Sequence, residues 1–98
     1  MPIEFIKNEK GSNVMTHYQI WHAIELFARA QGLSCSGLAK LSGLDATTFN
    51  KSKRFTKYNQ PRWPSTSSIA KIISATGAKP QDFFKFLITD ESDNKNFK

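Results

Sequence analysis

The sequence has a single cysteine, Cys35, so no internal disulfide can staple it. It has no apolar run near the roughly 20 residues that a bilayer span requires, which excludes a membrane-spanning helix. No basic start followed by an apolar stretch opens it, so nothing points to export and a reducing cytoplasm is the expected setting. Acid is the most unevenly missing component. Between Ala46 and Gln81 there is no aspartate or glutamate, yet seven basic residues fall there: Lys51, Lys53, Arg54, Lys57, Arg62, Lys71 and Lys79. The other seven basic residues share the rest of the chain with all eight acids, so the net charge of +6 is concentrated in one segment. Such a segment is either a solvated surface or the electrostatic footprint for a polyanion.

What is present fits one small helical domain. A chain of 98 residues with 39% apolar content can fold without metals or disulfides. Residues 1–15 lack helical periodicity and read as a flexible N-terminal arm, with Gly11, Ser12 and Asn13 marking a break. Thr16 and Gln19 have capping-box spacing, and Ile20, Ile24, Phe27 and Ala28, with Trp21 beside them, make the apolar stripe of a first helix that Gly32 ends. Ser34 caps a second, short helix carrying Leu38, Ala39 and Leu41, and Gly43 stops it. Only Leu44 separates that glycine from Asp45, the cap of a third helix expected from Ala46 to about Lys53. Two short helices joined so tightly must cross steeply, as in a helix-turn-helix.

The stretch FTKYNQPRWP, residues 55–64, reads as a basic, aromatic loop in which Trp63 is expected to close the core. Ser65 caps a fourth helix with Ile69, Ala70, Ile72 and Ile73, ended by Gly77. A fifth starts with Pro80 and turns Phe83, Phe84 and Leu87 inward. The expectation is therefore an all-α, five-helix domain over residues 16–88, with residues 89–98 as a polar tail or linker.

On the third helix Ala46, Thr47, Asn50, Lys51 and Arg54 share one face, with Phe49 directed into the core. Small, amide and cationic groups in front of an apolar anchor suit insertion into a groove about 12 Å wide. Asn50 can pair with adenine, Lys51 can donate to guanine, and the Thr47 methyl can touch thymine. These five residues are the candidate base readers. Phosphate contacts are expected from backbone N–H groups at Ser34, Cys35 and Ser36, and from Lys40, Lys53, Lys57 and Arg62.

The run LSCSGLAKLSGLDATTFNKSKRF, residues 33–55, resembles the helix-turn-helix of phage and prophage repressors of the lambda CI and LexA-like group. The likeness continues through PRWPSTSSIAKIISATGAKPQDFF, residues 61–84, and covers about Thr16 to Leu87. It implies a lambda-repressor-like DNA-binding domain, Thr47, Asn50 and Lys51 among the base readers, and phosphate contact near Cys35. Three features depart from that pattern: Gly37 within the second helix, Ala46 where relatives often carry a longer polar reader, and a basic loop longer than in lambda relatives. The self-cleaving peptidase half of such repressors has no counterpart after Leu87, so the likeness concerns the DNA-binding half alone.

The partners expected are a double-stranded operator and a second copy of the chain on DNA, with no cofactor, metal, membrane or small-molecule substrate. The competing reading is a protein-interaction module, an antitoxin-like protein or an antirepressor target, drawn from the apolar residues of the arm and an exposed Phe86. Catalysis has little to stand on. Ser68 and Lys71 match S-x-x-K, but serine and threonine crowd this helix start and the companion motifs are missing. His17 and His22 fall on different helix faces, and Cys35, whose thiol pKa a helix N-terminus could lower, reads first as a small first-turn residue.

Overall fold

The Thr16 hydroxyl accepts the Gln19 N–H at 3.0 Å and the Gln19 side chain accepts the Thr16 N–H at 3.0 Å, so the capping box starts a helix, α1, at His17–Ala30. The computed structural model describes residues 15–87; the expected arm and tail lie outside the described residues except for Met15. Ser34 caps α2, Cys35–Leu41, and Ser65 caps α3, Thr66–Thr76, each through a hydroxyl that accepts the backbone N–H three residues on. Residues 80–87 form a last helix, α4, whose first residue is Pro80. Lys79 has no side chain suited to capping it. The Asp82 carboxylate instead reaches back to the Lys79 N–H at 2.9 Å.

The turn after α2 depends on Gly43. Its φ of +76° is in the left-handed region, and the next N–H, from Leu44, returns 2.9 Å to the Ala39 carbonyl. That closure satisfies the helix end and turns the chain back within two residues. Gly32 and Gly77 end α1 and α3 by the same pattern, with Leu33 and Ala78 donating to Ala28 and Ile73.

α2 packs on both α1 and α3. Ile20, Trp21, Ala23, Ile24, Phe27 and Ala28 of α1 meet Leu38 and Ala39 of α2, Phe49, Ile72 of α3 and Phe83 of α4 in one buried cluster. Phe27 and Phe83 meet edge to face, ring centres 5.6 Å apart. Each large side chain buried there contributes about 1.5–3 kcal/mol. Leu41, Ala70 and Phe84, expected inside, are exposed; Ile69, Ile73 and Leu87 are half-buried against the cluster. Trp63 is also 49% exposed, so the tryptophan that closes the core is Trp21, at 3%.

The described residues are mostly helical and contain no named strand, but they hold four α-helical stretches where five were expected. The expected third helix is replaced by two separate turns. Residues 45–49 close through Thr48 N–H to Asp45 O (3.0 Å) and Asn50 N–H to Thr47 O (3.0 Å). Asn50 is then extended, with ψ of 154°, before a 3₁₀ turn at Lys51–Lys53. The cause is competition for carbonyls. The Thr48 hydroxyl donates 2.6 Å to Asp45 O, which a continuous α-helix would offer to the Phe49 N–H. The Arg54 guanidinium donates 3.2 Å to Phe49 O, which the Lys53 N–H would otherwise take. Threonine, asparagine and serine are weak helix formers, so little propensity opposes the break.

Among the described residues no helix is long and apolar enough to cross a membrane.

Candidate nucleic-acid interface

Asp45 organises the first turn of the polar edge. Its Oδ1 accepts the Thr47 N–H at 2.8 Å and the Thr47 hydroxyl at 2.7 Å, and these bonds hold its carboxyl below its ordinary pKa. With its hydroxyl proton committed to Asp45, Thr47 has its methyl and the lone pairs of the hydroxyl oxygen left for a ligand. Thr47, Asn50 and Lys51 are all exposed, Ala46 is half-buried, and Phe49 between them is buried at 1%. The broken helix therefore still puts the apolar anchor inside and the three polar candidates outside.

Arg54 leaves the set of candidate base readers. Its guanidinium lies 2.9 Å from the Glu25 carboxylate of α1, donates to Phe49 O, and stacks over the Trp21 ring with 5.1 Å to its centre. With 14% of its side chain exposed it is a strut that ties the polar edge to α1. Burial pushes the Glu25 carboxyl up, but the bond and charge of Arg54, with help from His22, more than offset this and hold it below its ordinary value. A carboxylate with a depressed folded pKa stabilises the fold above its unfolded pKa, about 4.3, and that contribution is lost as pH falls through the lower folded value. Glu25→Gln should accordingly destabilise the protein at neutral pH and narrow its gap to wild type below about pH 4. Thermal melts across that window check this.

The remaining cations of the acid-free stretch, Lys51, Lys53, Lys57, Arg62, Lys71 and Lys79, are all exposed. Lys40, in the last turn of α2, is exposed as well. Lys53 meets Arg62, Trp63 and the start of α3 along one cleft of about 260 Å³, which Thr48 and Phe49 also border. Lys51 and Arg54 meet His17, Tyr18, Trp21 and Phe55 along a second. The Ser34–Ser36 segment is less open than expected. Ser34 is exposed, but its hydroxyl accepts the Gly37 N–H, while Cys35 and Ser36 are half-buried. The Cys35 thiol, for which a lowered pKa was conceivable, is instead pushed up by burial and by the Glu25 charge, against opposing Arg54 and Arg29.

The loop after the polar edge is built as a small hairpin. Arg62 N–H donates to Arg54 O and Thr56 N–H to Gln60 O, both at 2.8 Å, with Phe55 and Pro61 paired between them. Pro61 sits where the ladder needs no donor, so its missing N–H costs nothing. Asn59, at φ +66°, makes the turn, and the Thr56 hydroxyl accepts the N–H groups of Tyr58 and Gln60. α1 holds the root: Trp21 Nε1–H donates 2.9 Å to Arg62 O, and His17 Nε2 lies 2.8 Å from Arg54 O and 3.1 Å from Arg62 O. Donation from His17 to either carbonyl puts its proton on Nε2, whereas the Trp21 Nε1–H, 3.2 Å from that same nitrogen, would need a lone pair there. Sequence reasoning missed the clamp made by His17 and Trp21 and the tie from Glu25 to Arg54, whereas Asp45 was expected as a cap and does accept the Thr47 N–H. Only the composition of α1, with a histidine and an indole four residues apart, could have hinted at the clamp.

Ser68 of the S-x-x-K match is buried, and its N–H and hydroxyl oxygen both engage the Ser65 hydroxyl, completing the α3 cap, while Lys71 is exposed. Among the described residues no group of three histidine, cysteine or acidic side chains could hold a metal ion. No family model, curated protein or solved structure matches the chain.

Proposed function

We propose that this chain is a sequence-specific, non-catalytic binder of double-stranded DNA, a transcriptional repressor of the lambda-repressor-like, helix-turn-helix kind, acting in the cytoplasm as a homodimer on its operator. One observation carries the reading: Thr47, Asn50 and Lys51 stand exposed immediately after the tight turn from α2, around a buried Phe49, in a stretch with six exposed cations and no acid. α2 and the turns at 45–53 serve as the two arms of the motif, the second entering the major groove. Asn50 and Lys51 read base edges, and the Thr47 methyl touches thymine. Lys40, Lys53 and Arg62 neutralise flanking phosphates, with Lys57 on the loop beside them and the first turn of α2 at Ser34, Cys35 and Ser36 contributing backbone N–H groups at most.

A dimer is supported by an apolar groove between α3 and α4, bordered by Ile69, Ala70, Ile73, Pro80 and Phe84, which shares no residue with the two clefts beside the polar edge. A second copy seated there would leave the reading edges open for half-sites about 34 Å apart.

Selection from a random duplex library, followed by titration of the selected duplex, tests the proposal. With about six phosphates engaged, affinity should fall on the order of a thousandfold between 50 and 200 mM salt. Equal affinity for the selected and a scrambled duplex would contradict it. Under the rival reading, a protein-interaction module, the same groove is the binding surface, and Phe86 drops out of its support because it is half-buried against Phe27. Stoichiometric capture of another protein without retention of duplex would favour that alternative.

A further inference from the structure

We infer that the hairpin of residues 54–62 is a second DNA-reading element, a rigid wing whose tip, Lys57 to Gln60, enters the minor groove beside the half-site and prefers A·T pairs there; this rests on the DNA-binding reading above.

The hairpin is braced as a rigid body. Two cross-strand bonds, the Thr56 hydroxyl bonds and the His17–Trp21 clamp hold it from tip to root. A loop with no function at its tip has no need of that bracing, whereas a reading element benefits from paying its ordering entropy before binding.

Its chemistry is that of a groove reader. Lys57, Tyr58, Asn59 and Gln60 are all exposed, Tyr58 at 73%, and no acid lies within the stretch. The Lys57 ammonium lies 5.2 Å from the Tyr58 ring centre, so charge and aromatic surface are presented together. Lysine is drawn to the strong negative potential of a narrow A·T minor groove, and asparagine and glutamine amides donate to the adenine N3 and thymine O2 acceptors found there.

Its position fits too. The root follows the 3₁₀ turn directly, and Lys53 and Arg62 border one cleft, so the wing is fixed beside the base-reading edge. From its root at Arg54 the hairpin runs extended only through Phe55 and Thr56, about 7 Å, before the turn at 57–59 projects the Lys57 and Tyr58 side chains from its tip.

The test uses the full 98-residue chain and a Lys57→Ala, Tyr58→Ala double variant, both applied to the random duplex library. Because both side chains are exposed at the tip, the variant should keep the wild-type circular dichroism and melt. Wild type should enrich A·T pairs on the flank of each half-site and protect the minor groove there from hydroxyl radicals. The variant should lose both, bind about tenfold more weakly, and keep the same central bases. Central recognition with no flanking preference or protection in wild type, or with flanking protection unchanged in the variant, overturns the wing and leaves the DNA-binding reading intact. No duplex retained by wild type overturns both.

Discussion

Replacing Asn50 and Lys51 together with alanine is expected to lower affinity for the selected operator by about 100-fold, because each bidentate base contact discriminates by roughly 1–3 kcal/mol. Binding to scrambled duplex should weaken by less than about tenfold, since only one phosphate-attracting charge is lost. The melt should hardly move: both side chains are exposed and make no side-chain hydrogen bond that holds the fold. Loss of discrimination without loss of stability separates base reading from a general basic surface. A competition titration of both duplexes, with wild type alongside, measures it.

Phe49→Ala should have the largest effect on the fold itself. The ring is 1% exposed and sits in the same cluster as Leu38, Ile72 and Phe83, so truncation loses its burial and leaves a cavity. Such changes cost about 3–5 kcal/mol. In a domain of this size that lowers Tm by at least about 12 °C. Beyond Phe49 the polar edge is held only by the Arg54 strut to α1 and by the few internal bonds of its turns. Operator binding should therefore fail at temperatures where residual secondary structure persists, and melting curves read beside binding isotherms will show the two losses in that order.

Much of the helical framework is legible in local residues. Thr16 with Gln19, Ser34 and Ser65 cap the three helices they were expected to cap, and Gly32, Gly43 and Gly77 all take the left-handed conformation that ends them. Capping is a matter of three or four neighbouring residues, so the sequence displays it directly. The break at Asn50 is different. It needs the Thr48 hydroxyl on one carbonyl and, on another, an arginine whose position is set by Glu25, 29 positions earlier in the sequence.

The same arginine shows why the candidate site was only partly readable. On an ideal helix Arg54 shares a face with Thr47, Asn50 and Lys51, but the extended residue at 50 ends that register and Arg54 turns to Glu25 and Trp21 instead. Trp63 and Phe84 err in the other direction. Their apolar surface made burial the natural expectation, yet the hairpin leaves Trp63 half-exposed at a cleft and Phe84 opens onto the α3–α4 groove. Which aromatic fills a core depends on how the elements dock, and spacing along the chain carries no record of that.

On the proposed function, the edge around Asn50 and Lys51 is what meets duplex DNA. Amide chemical-shift mapping of the full chain, titrated with the selected duplex, addresses this residue by residue. The largest changes are expected at Ala46–Lys53, Lys57–Gln60 and Arg62, with Ile72 and other core amides almost still. Changes centred on Ile69, Ile73 and Phe84, with residues 46–53 unmoved, would contradict it.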